Sequence, residues 1–99
     1  MREIDRVVYD AVEQFKNDHL EYPGLDARED VVLFGEGGVL DSLGLVNLIV
    51  AVEEAIEADL GVVVTIADEH ALEATENPFR TIEALTGYAA RLVSEARGA

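Results

Sequence analysis

Ninety-nine residues, 49% of them hydrophobic, are enough for one domain with a thin apolar core in which every buried side chain counts. The chain has no cysteine, so neither a disulfide nor a thiolate metal site can form, and no stretch approaches the roughly 18 apolar residues that span a bilayer. The formal net charge of −14 repels phosphate backbones and anionic lipid, which sets nucleic acid and membrane surfaces aside and favours protein partners with basic patches.

The first element is legible from its period. Ile4, Val7, Val8, Ala11, Val12 and Phe15 recur at helical spacing with charged residues between them, which predicts an amphipathic helix from about Arg2 to Asn17. Pro23, Gly24, Gly35, Gly37 and Gly38 then break the pattern and mark a long irregular loop. A loop of this length needs anchors in so small a domain, and Leu25, Val31, Leu33 and Phe34 are the candidates.

A second helix is predicted from Ser42 to about Leu60, capped by Asp41 and stopped by Gly61. On a helical wheel Leu45, Leu48, Ile49, Val52, Ile56 and Leu60 form the core arc. Gly44, Asn47, Ala51, Glu54, Ala55 and Ala58 form a small or polar arc expected to face solvent. Leu43, Val46 and Val50 fall between, on a shoulder shared with Glu53 and Glu57. That shoulder is more apolar than the helix needs, and it reads either as packing beneath the long loop or as a docking patch. The run "VVVTIA" reads as an extended connector. Asp68 can cap a short third helix to about Ala74, and Ile82, Leu85, Tyr88, Ala89, Leu92 and Val93 define a last helix from about Thr81 to Ala96. Together these predict an all-α four-helix bundle of three longer helices and one short one, over residues 1–99 as a single domain.

Chemistry is sparse. Ser42 does not fit a hydrolase elbow, because Leu40 stands where the first glycine would be. The only imidazoles are His19 and His70, both in acidic, polar surroundings and read as solvated surface residues. The glycine-rich segment lacks the lysine of a phosphate-binding loop, no calcium-loop spacing is present, and no metal ligand set is assigned. No residue is assigned a catalytic role. What remains is a serine that receives chemistry rather than performs it. A hydroxyl in the first turn of a helix is approachable, and free backbone N–H groups there would stabilise an attached phosphate. A plain helix start with no modification is the alternative.

The stretch "LDSLGLV" resembles the D-S-L signature of acyl carrier proteins. The likeness extends to the glycine loop before it, to "AVEEAIEADLG", to "ADEHAL" and to "PFRTIEALTGYAARL", covering roughly Val31 to Val93. The resemblance implies that Ser42 carries 4′-phosphopantetheine as a phosphate ester, placed there by a separate phosphopantetheinyl transferase (holo-synthase). Asp41 and Leu43 match the family's flanking residues. The first would orient the modifying enzyme, and the second would contact partners or seat the arm. The chain would then be a stand-alone carrier and not an enzyme. It would take acyl thioesters from a loading ligase or transferase and present them to a ketosynthase or other acyl-processing enzymes in fatty-acid, lipid or secondary-metabolite biosynthesis.

The docking surface so implied is Leu43, Val46, Asn47, Val50, Glu53, Glu54 and Glu57. A sheltering cavity for the acyl chain would be lined by Val46, Val50, Ile56, Leu60, Ile66 and Leu72. The chain departs from the fatty-acid type where Gly44 and Asn47 replace acidic residues, which suggests a specialised carrier. An aminoacyl or peptidyl carrier and an acidic helical interaction module without prosthetic group are the alternatives. A cytoplasmic monomer is expected from the charge and from the absence of an apolar leader segment.

Overall fold

The computed structural model describes residues 3–22, 24–28, 30–35, 37–66 and 79–98, the side chain of Ser42 excepted. They form three helices: α1 (Glu3–Asp18), α2 (Ser42–Leu60) and α3 (Ile82–Ala96). No strand occurs among the described residues; a single antiparallel bridge joins Val32 to Thr81. The short helix expected between Asp68 and Ala74 lies outside the described residues, and so do His70 and Leu72.

Each helix forms where its period and its ends direct. All six apolar positions expected on α1 are buried. In α2 the core arc from Leu45 to Ile56 is buried and Leu60 is half-buried. In α3, Ile82, Leu85, Ala89 and Val93 are buried, while Tyr88 and Leu92 are half-buried. α1 packs against both of the others. The ends are hydrogen-bonded as the capping residues require. Asp41 caps α2, Thr81 Oγ1 accepts the Ala84 N–H at 3.0 Å to cap α3, and Gly61 (φ 67°) donates its N–H to the Glu57 carbonyl at 3.0 Å.

The long loop is held from both sides. Leu25, Val31 and Leu33 are buried and Phe34 is half-buried, all packed with the helices in one core. Leu33 N–H donates to the Arg80 carbonyl at 2.6 Å and Ile82 N–H to the Val31 carbonyl at 3.1 Å. On the opposite edge Val39 and Leu40 donate to Val32 and Leu33, each at 3.0 Å. The loop leading to α2 is therefore stitched to the chain that enters α3, so backbone groups that would otherwise lack partners are paired. Lys16 adds a side-chain tie, donating to Asp26 at 2.6 Å. That hydrogen bond, reinforced by the ammonium charge, holds the Asp26 carboxyl below its usual pKa.

The solvent-facing arc expected on α2 needs one correction. Asn47, Glu54 and Ala58 are exposed, but Gly44 is buried and Ala51 and Ala55 are half-buried. Gly44 lies against Tyr22, and Ala51 and Ala55 turn toward α1.

Candidate functional site

Ser42 is the first residue of α2, and Asp41 immediately before it has an extended backbone (φ −84°). The Asp41 carboxylate works in two directions. Its Oδ1 accepts the Gly44 N–H at 2.7 Å, which caps the helix, and also the Tyr22 hydroxyl at 3.2 Å. Burial, followed by the neighbouring Asp41 charge, raises the Tyr22 pKa above the usual phenol value. Tyr22 therefore stays protonated, and a donor, throughout the physiological range.

An aromatic group brings Tyr22 there. The His19 ring stacks on Phe15 with centroids 4.0 Å apart, and Tyr22 lies 6.2 Å from Phe15. His19 also holds its Nδ1 3.1 Å from the Phe15 carbonyl oxygen, the geometry of an N–H donor in the tautomer that protonates Nδ1. It is half-buried, not the solvated residue its polar neighbours suggested. The end of α1 is thus joined through Tyr22 to the head of α2.

Gly44 makes that junction possible. A β-carbon there would lie 2.6 Å from the Tyr22 hydroxyl oxygen and 2.8 Å from Cζ, so any other residue drives Tyr22 away. Gly44→Ala should lower stability by about 1 kcal/mol, because the lost Tyr22 contacts outweigh alanine's helix advantage of similar size. In a Tyr22→Ala background the same change should raise stability by about 1 kcal/mol. Urea unfolding of the four proteins reads the reversal, and the same sign in both backgrounds would refute the account. Tyr22 belongs to no motif. The one sequence signal was a glycine in a first helical turn, where its backbone freedom costs stability unless something packs close.

Beyond the cap, α2 turns a hydrophobic edge to solvent. Leu43 is 69% exposed, Val46 38% and Val50 40%, so neither valine is covered by the long loop. Asn47, Glu54 and Glu57 are exposed beside them. Glu53 differs: it is half-buried and accepts the Ile66 N–H, fixing the connector that follows α2.

Of the described members of the expected acyl-lining set, Ile56 and Ile66 belong to the one core and Leu60 packs against it. Ile56 and Ile66 are fully buried, and Val46 is on the surface. Val50 lines a groove between α1 and α2. Leu60 lines a second hollow with Ile4 of α1 and Val93 of α3.

No protein-family model, curated protein or solved structure matches the chain. No described helix is long and apolar enough to cross a membrane.

Proposed function

We propose that the protein is a carrier whose Ser42 hydroxyl accepts 4′-phosphopantetheine from coenzyme A, with release of adenosine 3′,5′-bisphosphate, in a reaction catalysed by a separate transferase. The observation that carries this reading is the junction at the head of α2. An Asp-Ser-Leu triplet opens the helix after a long anchored loop, with Asp41 fixed by two hydrogen bonds and Leu43 standing in solvent.

The residues present suit such a group. The first turn of α2 supplies backbone N–H groups and the positive end of a 19-residue helix dipole to a phosphate ester. Asp41 holds the first turn in register, and Leu43 and Val46 offer an apolar edge to an approaching enzyme. When bound, the group supplies a terminal thiol on a long arm, which holds acyl cargo as a thioester. The protein's part is to present that arm and to be recognised. A tether raises the local concentration of cargo at a partner's active site without tight binding, and the charge of −14 speeds encounter with basic surfaces. The four-helix architecture, with the short helix expected from Asp68 to about Ala74, belongs to the same proposal.

Gly44 and Asn47 leave the first two turns of α2 without acidic side chains. Since Gly44 is required by Tyr22, its place there reflects packing as well as recognition. Asn47 is exposed, and its lack of charge points to partners other than those of primary fatty-acid synthesis, with acyl or aminoacyl cargo of a specialised pathway.

Incubation with coenzyme A, Mg²⁺ and a broad-specificity phosphopantetheinyl transferase should shift the intact mass by one phosphopantetheinyl group. If the mass stays unchanged while a control carrier is labelled in the same mixture, the proposal fails. The exposed Leu43–Val46–Val50 edge would then be left as the surface of an acidic interaction module.

A further inference from the structure

A second surface adjoins that edge of α2, sharing Asn47, Val50 and Glu54 with it, and it owes nothing to Ser42. Where α1 and α2 pack, Ala11 faces the half-buried Ala51 and Ala55, and these short side chains leave a groove of about 580 Å³. Val7 and Phe15 complete an apolar floor. Asp10 and Asp18 stand along one edge, Glu54 and Asp59 along the other. Among the described residues that line it there is no lysine or arginine. None of these four carboxylates is in the ion pairs between described residues, which include Lys16–Asp26, Arg28–Asp26, Arg28–Asp30 and Arg97–Glu3.

We infer that this groove is a docking site for a cationic amphipathic helix of a partner protein, with its apolar face on the alanine floor and its Lys or Arg side chains on the carboxylate edges. An apolar trough with carboxylates on both sides complements an apolar stripe flanked by bases, the usual form of helix-in-groove recognition. Charge argues against the other occupants. A second copy of this chain would bring another −14 to the interface. The segment from Ala67 to Pro78 contains Asp68, Glu69, Glu73 and Glu76 and no lysine or arginine, so the same edges repel it. Uncompensated like charge across an interface is disfavoured, whereas opposite charge both steers and orients.

The test uses the full chain carrying Ser42→Ala, so that its outcome is independent of any tether. The probe is an amphipathic peptide of about 18 residues with leucine on one face and lysine on the other, followed by amide chemical shifts. Shifts should centre on Ala11, Phe15, Ala51 and Ala55 and spare Leu43 and Val63. Ala51→Leu, which fills the floor, should weaken binding by about ten-fold, and Asp18→Asn with Glu54→Gln by a similar factor. Unchanged circular dichroism checks that each variant is folded.

A peptide with glutamate in place of lysine should not bind. Equal binding of that peptide overturns the proposal, and so does saturable binding of dodecanoate in the groove when the lysine peptide leaves it untouched. Shifts that map to Leu43 and Val46, or that spread over the acidic surface and ignore Ala51→Leu, overturn it as well.

Discussion

Ser42→Ala should abolish labelling by coenzyme A and phosphopantetheinyl transferase while leaving the fold as it is. The cap belongs to Asp41, which the substitution leaves in place. Stability should therefore change by no more than about 0.5 kcal/mol, and the unfolding midpoint should be indistinguishable from that of the parent. Two neighbours separate modification from structure. Asp41→Asn retains an oxygen able to cap the helix but loses the carboxylate charge, so it should fold normally and be labelled more slowly. Tyr22→Phe removes the hydrogen bond that steadies Asp41 and should slow labelling less than Asp41→Asn does. Intact-mass time courses measure all three. Labelling that persists in Ser42→Ala would move the attachment point elsewhere and end the proposal as stated.

The largest expected effect on stability belongs to Phe79. It is fully buried and meets Tyr88 edge-on at 5.9 Å between centroids. It also immediately precedes Arg80, whose carbonyl anchors Leu33. Truncation to alanine should cost about 3–5 kcal/mol through lost burial and the cavity left behind. Set against the 5–15 kcal/mol typical of a whole domain, that would leave a marginal fold. Phe79→Leu should cost less than about 2 kcal/mol, since most of the volume is kept. Urea denaturation reads both. A loss below about 1 kcal/mol for alanine would mean that the core closes over the gap, and that this residue does not hold the loop.

The helices were legible in the sequence because their signals are local. A 3.6-residue apolar period names the buried face of α1 without reference to any other element, and Asp41 and Gly61 announce the ends of α2 through the backbone groups they satisfy. What was not legible came from partners distant along the chain. The wheel placed Gly44, Ala51 and Ala55 in solvent because they are small and stand beside Asn47 and Glu54. Their cover is supplied by Tyr22 and α1, and no periodicity within α2 can reveal that. His19 was misread for a different reason: its adjacent residues are polar, but Phe15, four positions back and so on the same helical face, supplies the ring on which it stacks. The anchoring side chains of the long loop could be named from their hydrophobicity. The pairing of Val31–Leu33 with Arg80–Ile82 could not, because backbone hydrogen bonds carry no residue-type signature.

That pairing sets an order of events during synthesis. The stretch that delivers the chain to the start of α2 finds its hydrogen-bond partners about fifty positions downstream, in residues that leave the ribosome only after the whole of α2. A nascent chain halted before Thr81 would have its α2 sequence in hand but no fixed platform at the head of that helix. An enzyme that reads the junction of loop and helix would thus encounter its formed target only after the chain through Ile82 has emerged.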